Sequence, residues 1–362
     1  NAGGNQGFQL LNPPYPAPYY TLAVHNSNSG ANNKLSVFSV SPTKKVYFSR
    51  ANLMYKTAEN KWGFHDNQVD ECSTSLRDGP YVQQSSNYQK ITIHYGTVTT
   101  DMDRFTWGHR YVTPQAGTDY VTGEDDLSVE RGTDWGCVFK IGDTWEEDMP
   151  EPEDTHWRTL TASEWNYLIT QRSGNRFMMV QFYNPFPEIN EYSYGLLVFP
   201  DNFAFPTLSS LFNINNCNKT DQYYWIDKKT NGGAWNESGS NMYKLLAAGA
   251  VFLPGVGLRI QEYYYRYNYF LQSSGFYDDS PKGQGYYWTA STGLDEGHPT
   301  GSHYFWFGIH GGNYWKIGAG TMQSIPENFG VGNATVCDPN TTEYNGTMRQ
   351  YGMCVRLVWD AN

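Results

Sequence analysis

The sequence predicts an α+β fold with two short helices, small mixed or antiparallel sheets and long loops. Three observations predict it. Only two stretches read as helices, one behind a capping box and one stopped by a glycine at its C-terminal end. Short alternating or fully apolar runs recur elsewhere along the chain, as half-buried and buried strands do. Between them lie turn-forming residues, with 36 Gly and 18 Pro among 362 residues, so elements are short and connections many.

Residues 1–33 combine a Pro- and Tyr-rich stretch with an Asn/Ser/Gly tail and have no periodic apolar face. They read as a tether, and residues 34–362 as the folded domain. Leu35–Ser41 alternates apolar and polar residues, and Lys44–Lys56 continues as short strands. Ile91–Gly96 reads as a strand, and 111–154 as loop with acidic clusters at Glu124–Asp126 and Glu146–Asp154. Thr161 and Glu164 then form a capping box, with Trp165, Leu168 and Ile169 on one helical face. This helix is expected to end near Gln171, with Gly174 just beyond. Tyr194–Pro200 reads as a buried strand. A second helix over Asn241–Ala248 is stopped by Gly249. Ala250–Arg259 gives a buried strand bent at Pro254 and Gly255. The runs Tyr286–Ser291, Ser302–Ile309, Asn313–Gly318 and Met353–Trp359 read as the remaining strands, separated by long Gly/Asn/Thr-rich loops.

Apolar residues make up 39% of the chain and aromatics 17%, which argues against disorder because ring burial offsets chain entropy. With Lys+Arg 25 and Asp+Glu 36, the net charge of −11 disfavours a phosphate backbone, so no nucleic-acid partner is expected. No apolar run reaches the roughly 20 residues of a membrane span. The first residues lack a charged, apolar leader, so the expectation is an export signal processed away or trimmed from this chain. The five cysteines, Cys72, Cys137, Cys217, Cys337 and Cys354, have no zinc spacing and leave at least one thiol unbridged. They read as small buried apolar residues. If a bridge exists, Cys337 with Cys354 or with Cys217 is the candidate.

Several blocks resemble, in order, bacterial surface domains of the Fibrobacter succinogenes major paralogous domain type. They are KKVYFSRANLMYK, KWGFHDNQ, DWGCVF, WRTLTASEWNYLITQR, YGLLVFPDNF, KLLAAGAVFLPGVGLR, GYYWTAST and YGMCVRLV, spread over residues 35–359. The resemblance implies a C-type lectin-like fold of the formylglycine-generating-enzyme branch, in which a helix like TASEWNYL packs near a mixed sheet and a terminal G-x-x-x-R-L-V strand closes it. The chain is also similar to the variable proteins of diversity-generating retroelements. That similarity implies that the last stretch, from the YYW strand to the RLV strand, displays the ligand-contacting residues.

The closing region has the chemistry for such a role. Tyr304, Trp306, Tyr314 and Trp315 surround the turn Gly311-Gly312-Asn313. Tyr and Trp supply rigid contact area, while Asn, Ser and Gly supply adaptable hydrogen bonds. Their flat faces also stack on sugar C–H faces. The candidate ligand-binding residues are Tyr287, Tyr304, Trp306, His310, Asn313, Tyr314, Trp315, Asn345, Arg349 and Tyr351. Alternation along Tyr304–Phe307 sends one pair of rings away from the other. An exposed Tyr304/Trp306 pair and rings that are simply core are both open readings.

Catalytic signals are weak. The oxidase chemistry of the related branch needs two thiols in one cleft, and Cys337 and Cys354 stand in a different context. No Gly-rich phosphate loop or nucleophile elbow is present, and His298, His303 and His310 have no helical metal spacing. No enzyme activity and no cofactor are expected. Calcium is the one candidate ion, at Asp338 and Asn340 in Asp338-Pro339-Asn340, although such a segment is more often a plain turn. The expected protein is a monomeric, extracellular or outer-membrane surface protein, membrane-associated only through a removed N-terminal anchor. Its expected partner is a glycan or a surface protein of a host or neighbouring cell. The alternative is a structural or assembly subunit of a surface appendage, and weaker still a cofactor-free or calcium-dependent enzyme.

Overall fold

The chain folds around two helix starts and one C-terminal strand, seen in a computed structural model. The residues it describes are 36–56, 61–65, 67–70, 82–85, 88–91, 103, 105, 157–184, 192–208, 213–219, 223–229, 234–255, 258–262, 267–271, 285–292, 302–308, 329–335, 347–348 and 353–361. The expected tether, residues 1–33, lies outside them. The architecture is α+β, with few short helices and several small sheets.

The first helix, α1, runs Ala162–Asn166 and continues as a π-helical turn over Tyr167–Gln171. Its start is the expected capping box. Thr161 Oγ1 accepts from the Glu164 amide at 3.2 Å, and Glu164 accepts from the Thr161 amide at 2.9 Å. Two of the helix's otherwise orphaned donors are thereby satisfied. Trp165, Leu168 and Ile169 are all buried, as their spacing requires. The chain turns extended at Arg172. The second helix, α2, runs Asn241–Ala247 behind the N-cap Ser240. Gly249 follows at φ 105°, and a Cβ there would collide with Ser36, so the stop also serves the packing.

Strands are numbered in chain order. β1 (Phe38–Ser39), β2 (Lys45–Phe48), β7 (Trp157–Thr159) and β18 (Leu357–Asp360) form an antiparallel sheet in the order β1-β2-β18-β7. The C-terminal strand is thus inserted between two others. A second sheet has the order β10-β8-β9-β11, made of β8 (Phe177–Tyr183), β9 (Tyr192–Val198), β10 (Tyr224–Asp227) and β11 (Val251–Pro254). β10 is parallel to β8, and the other pairs are antiparallel. The third, β14-β15-β16-β17, comprises Gly285–Thr292, Ser302–Phe307, Phe329–Thr335 and Thr347–Met348. Two-stranded pairs are formed by β3 (Leu53–Lys56) with β4 (Lys61–Phe64), β5 (Val82–Ser85) with β6 (Tyr88–Ile91), and β12 (Leu258–Glu262) with β13 (Tyr267–Leu271).

The second sheet separates two apolar clusters. One face (Phe177, Met179, Leu196, Val198, Val251, Leu253) joins Phe38, Phe48, Trp165, Tyr287, Phe305 and Val358. The other (Met178, Val180, Phe182, Leu197, Phe252) packs on Met242, Leu245 and Leu246 of α2. This is the two-residue period of a strand buried on both sides. α1 is the hinge between sheets, because Trp165 stacks on Phe305 of β15 at 4.4 Å and 4°. Its capping Glu164 also pairs with Arg158 of β7 at 2.7 Å.

Several expectations need correcting. β8 was not singled out in the sequence, because FMMVQFY is fully apolar for four residues and offers no clean alternation. β16 falls in a Gly/Asn-rich stretch expected to be loop, yet it pairs with β15 over Ser302–Phe307 and Phe329–Ala334. Backbone pairing with an already ordered strand outweighs its low strand propensity. The expected strand at 91–96 overlaps β6 only at Ile91, and residues 92–96 lie outside the described ones, as does Asn313–Gly318. The cysteine bridges are also corrected: Cys217 and Cys354 are both buried, and neither is in a disulfide. Cys72, Cys137 and Cys337 lie outside the described residues.

Two measurements test this architecture. Trp165→Ala removes the stacked ring from the junction of three elements and should cost about 3–5 kcal/mol in urea unfolding; a loss below about 1 kcal/mol would show that the stack is dispensable. Asp227 accepts from the amides of Asn241 and Met242 at 2.8 and 2.7 Å. Burial lifts its carboxyl from 3.8 to about 6, against the pull of those amides and Lys244. A raised carboxyl pKa means that the folded state holds more protons between the two values, so this contribution is full at low pH and declines as pH rises through about 6. The stability of the native protein relative to Asp227→Asn should therefore fall between about pH 4 and pH 7. A flat difference across that range would refute the assignment.

Candidate functional site

The candidate site has two layers, a closing sheet that carries the proposed ligand-binding segment and a buried polar core that holds this sheet in place. β15 lies between β14 and β16, with Tyr286 opposite Trp306, Tyr287 opposite Phe305 and Trp288 opposite Tyr304. Phe307 is opposite Phe329. The segment 309–328 therefore leaves one strand and rejoins the adjacent strand at the same end of the sheet.

The strand rings themselves are not surface rings. Tyr287 is 0%, Tyr304 1% and Trp306 9% exposed. The reading of Tyr304 and Trp306 as an exposed pair is corrected, because both alternating pairs of β15 are enclosed. Phe305 and Phe307 face the main cluster with Trp165 and Tyr287. On the opposite side, Tyr304 meets Tyr286 and Trp288 at ring distances of 6.1 and 6.4 Å. Tyr287 likewise belongs to the interior and not to a ligand-facing surface. The other candidate residues, His310, Asn313, Tyr314, Trp315, Asn345, Arg349 and Tyr351, lie outside the described residues. So do Asp338 and Asn340, the calcium candidates. Among the described residues, no three His, Cys, Asp or Glu side chains are gathered as a metal site.

Beneath β14 lies a polar cluster that sequence reasoning did not identify. Arg356, in the link into β18, is fully buried. Its two terminal nitrogens donate to Asn52 Oδ1 at 3.3 Å and Gln68 Oε1 at 3.0 Å. Asn52 Nδ2 in turn donates to the Tyr287 hydroxyl at 3.3 Å, and that hydroxyl donates to the Pro254 carbonyl at 2.9 Å. Gln68 Oε1 also accepts from the Phe252 amide at 2.8 Å. Close by, His65 Nε2 and Asp103 Oδ2 meet at 3.1 Å, both buried.

Burial presses on these groups in opposite directions. It lowers the Arg356 guanidinium to about 9, with Tyr287 and Cys354 pulling the other way. It raises the Tyr287 phenol well above its ordinary range. At neutral pH the cluster thus holds a guanidinium cation and a neutral phenol. Two of its hydrogen bonds go to amide oxygens, which add no second buried charge, while among the described residues Arg356 Nε has no hydrogen-bond partner. The backbone repeats the same convergence. Met353 pairs with Phe105, Cys354 bonds to both Tyr286 and Trp288, and Val355 and Leu357 accept from Leu53 and Ser49. Chemically this is a scaffold that fixes β14 against the C-terminal strand. A nucleophile or general base would need to reach a substrate, and these side chains face one another inside the protein.

One sequence signal points to the cluster: Arg356 is a charged residue inside the otherwise apolar run Met353–Trp359. Its partners Asn52 and Gln68 have no such mark. Comparisons of the chain with protein-family models, curated proteins and solved structures find no match. Among the described residues, no helix is long and apolar enough to cross a membrane.

Tyr287→Phe tests the coupling. It deletes the hydroxyl that accepts from Asn52 and donates to Pro254, leaving buried partners unsatisfied, and should cost about 1–3 kcal/mol in chemical denaturation. An unchanged midpoint and slope would show that the network adds nothing to stability.

Proposed function

We propose that this chain is a non-enzymatic cell-surface binding protein of C-type lectin-like build. It recognises a glycan, or a surface protein of a host or neighbouring cell, through its closing segments. The observation that carries this reading is the register of β15 with β16, which returns segment 309–328 to its starting edge beside a sheet whose own rings are buried. A segment held at both ends on a rigid support loses less conformational entropy on binding than a free one. Its sequence offers Asn313, Tyr314 and Trp315, residues suited to stacking and hydrogen bonding. His310, Asn345, Arg349 and Tyr351 belong to the same and the neighbouring connections. The buried Tyr287, Tyr304 and Trp306 act on this reading as supports for the segment.

The lectin-like assignment is supported by the ordered sequence blocks, by α1 packed against the closing sheet, and by the C-terminal strand set between β2 and β7. Calcium at Asp338 and Asn340 remains part of the proposal as an accessory to sugar binding. It is tested by whether binding survives a chelator.

The test is an array of glycans and surface proteins probed with the native chain and with a Tyr314→Ala, Trp315→Ala double variant. At least one ligand should bind the native chain, and the variant should lose about tenfold or more, the scale of one or two interface anchors. Equal signal from both proteins would overturn the assignment. Trp306→Ala is unsuited to this test, because a buried ring reports on folding.

A further inference from the structure

The second sheet carries an aromatic surface remote in sequence from the closing segments. On β8 and β9, one face begins inside the core with Phe177, Met179, Leu196 and Val198. Two residues further along each strand, the same face emerges. Gln181 stands opposite Tyr194, and Tyr183 opposite Tyr192. β10 adds Trp225 beside Gln181. All of these emerging residues are part-exposed. An ordinary solvated strand end would place polar residues here, whereas this one presents three tyrosines and a tryptophan.

The rings are ordered among themselves. Tyr192 and Trp225 meet edge to face at 4.8 Å and 89°, and Tyr183 and Tyr192 at 6.1 Å and 64°. Tyr194 is held by Tyr223 at 5.6 Å and 79°. Edge-to-face packing turns successive ring planes to different directions and makes the cluster rigid. Two exposed lysines border it. The Lys228 ammonium lies 5.5 Å over the Trp225 ring and the Lys229 ammonium 5.9 Å over the Tyr183 ring. Among the described residues, a ring and not a carboxylate holds Lys228. Its positive charge is therefore attracted by the ring but not neutralised, and it stands on a chain whose net charge is −11.

We propose that the part-exposed face of Tyr183, Tyr192, Tyr194 and Trp225, bordered by Lys228 and Lys229, is a second binding site for an acidic saccharide. The rings supply flat apolar area for sugar C–H faces, and Gln181 between Trp225 and Tyr194 supplies an amide to hydrogen-bond hydroxyl groups. The Lys228 ammonium supplies the charge partner for a uronate or sialate carboxylate, or for a sulfate ester, with Lys229 adding positive charge beside it. Lysine is a mobile point charge on a flexible stem, so Lys228 can leave its ring for the incoming anion. A neutral saccharide would meet the same rings but leave the Lys228 charge without a counter-charge. This site shares no residue with the closing segments, so either can fail without the other.

The experiment is calorimetric titration of the full chain with oligogalacturonate, sialyllactose and a chondroitin sulfate oligosaccharide. Neutral galactan oligomers and lactose are the matched controls. At least one acidic probe should bind, weaken by about tenfold or more in Trp225→Ala, and weaken comparably in Lys228→Gln, Lys229→Gln. That lysine pair should also flatten the salt dependence, as expected for a charge-assisted contact. The Tyr314→Ala, Trp315→Ala variant should bind the same probe as the native chain does. Both lysines are exposed, so the pair keeps the test valid should Trp225→Ala lower stability. Failure of all acidic probes, equal binding of neutral controls, or unchanged affinity in the lysine pair would each overturn the proposal.

Discussion

A guanidinium with no exposure to water has to be solvated by the protein, and the rest of this structure is arranged around that requirement. Arg356 reaches two amide oxygens, Asn52 Oδ1 and Gln68 Oε1, from segments far away in sequence. Those amides are themselves committed, Asn52 to the Tyr287 hydroxyl and Gln68 to the backbone of β11. One buried charge thereby fixes the first strands, the β11 edge and the closing sheet in a single relative position. A polar core bonded across these segments restricts the number of ways the surrounding apolar surfaces can pack. Removing any one partner leaves the others unsatisfied in a dry interior.

The C-terminal strand extends the same constraint through the backbone. β18 lies between β2 and β7, and residues 353–355 bond to Phe105, β14 and β3 before the strand begins. The chain's last residues therefore complete elements formed by its first and its middle. α1 joins from the other side through the Trp165–Phe305 stack, and its capping Glu164 reaches β7 through Arg158, which also holds Asp360. Helix, closing sheet and terminal strand are bound as one unit.

Local chemistry made parts of this legible. The Thr161/Glu164 box, the Trp165-Leu168-Ile169 face and the Gly249 stop depend on residues within one or two turns, and each stands where the sequence put it. The short apolar runs of β9, β11, β14 and β15 were equally readable. β8 and β16 were not, for opposite reasons. β8 is buried on both faces over Phe177–Val180 and shows no alternation there, and β16 has little propensity of its own and pairs because β15 offers it an ordered edge.

By itself, the sequence determined the α+β class, the positions of the two helices and those of the strands with clear apolar runs, because caps, periodicity and turn residues act over a few residues. Only the tertiary structure decided which aromatic rings face water. Alternation assigns Tyr304 and Trp306 to one face of β15, but that this face is buried is decided by what packs over it from elsewhere in the chain. Alternation also places Tyr183 and Met179 on the same face of β8. The core ends between them only because the packed elements end there. Burial is a property of what arrives from elsewhere in the chain, and no local pattern encodes it.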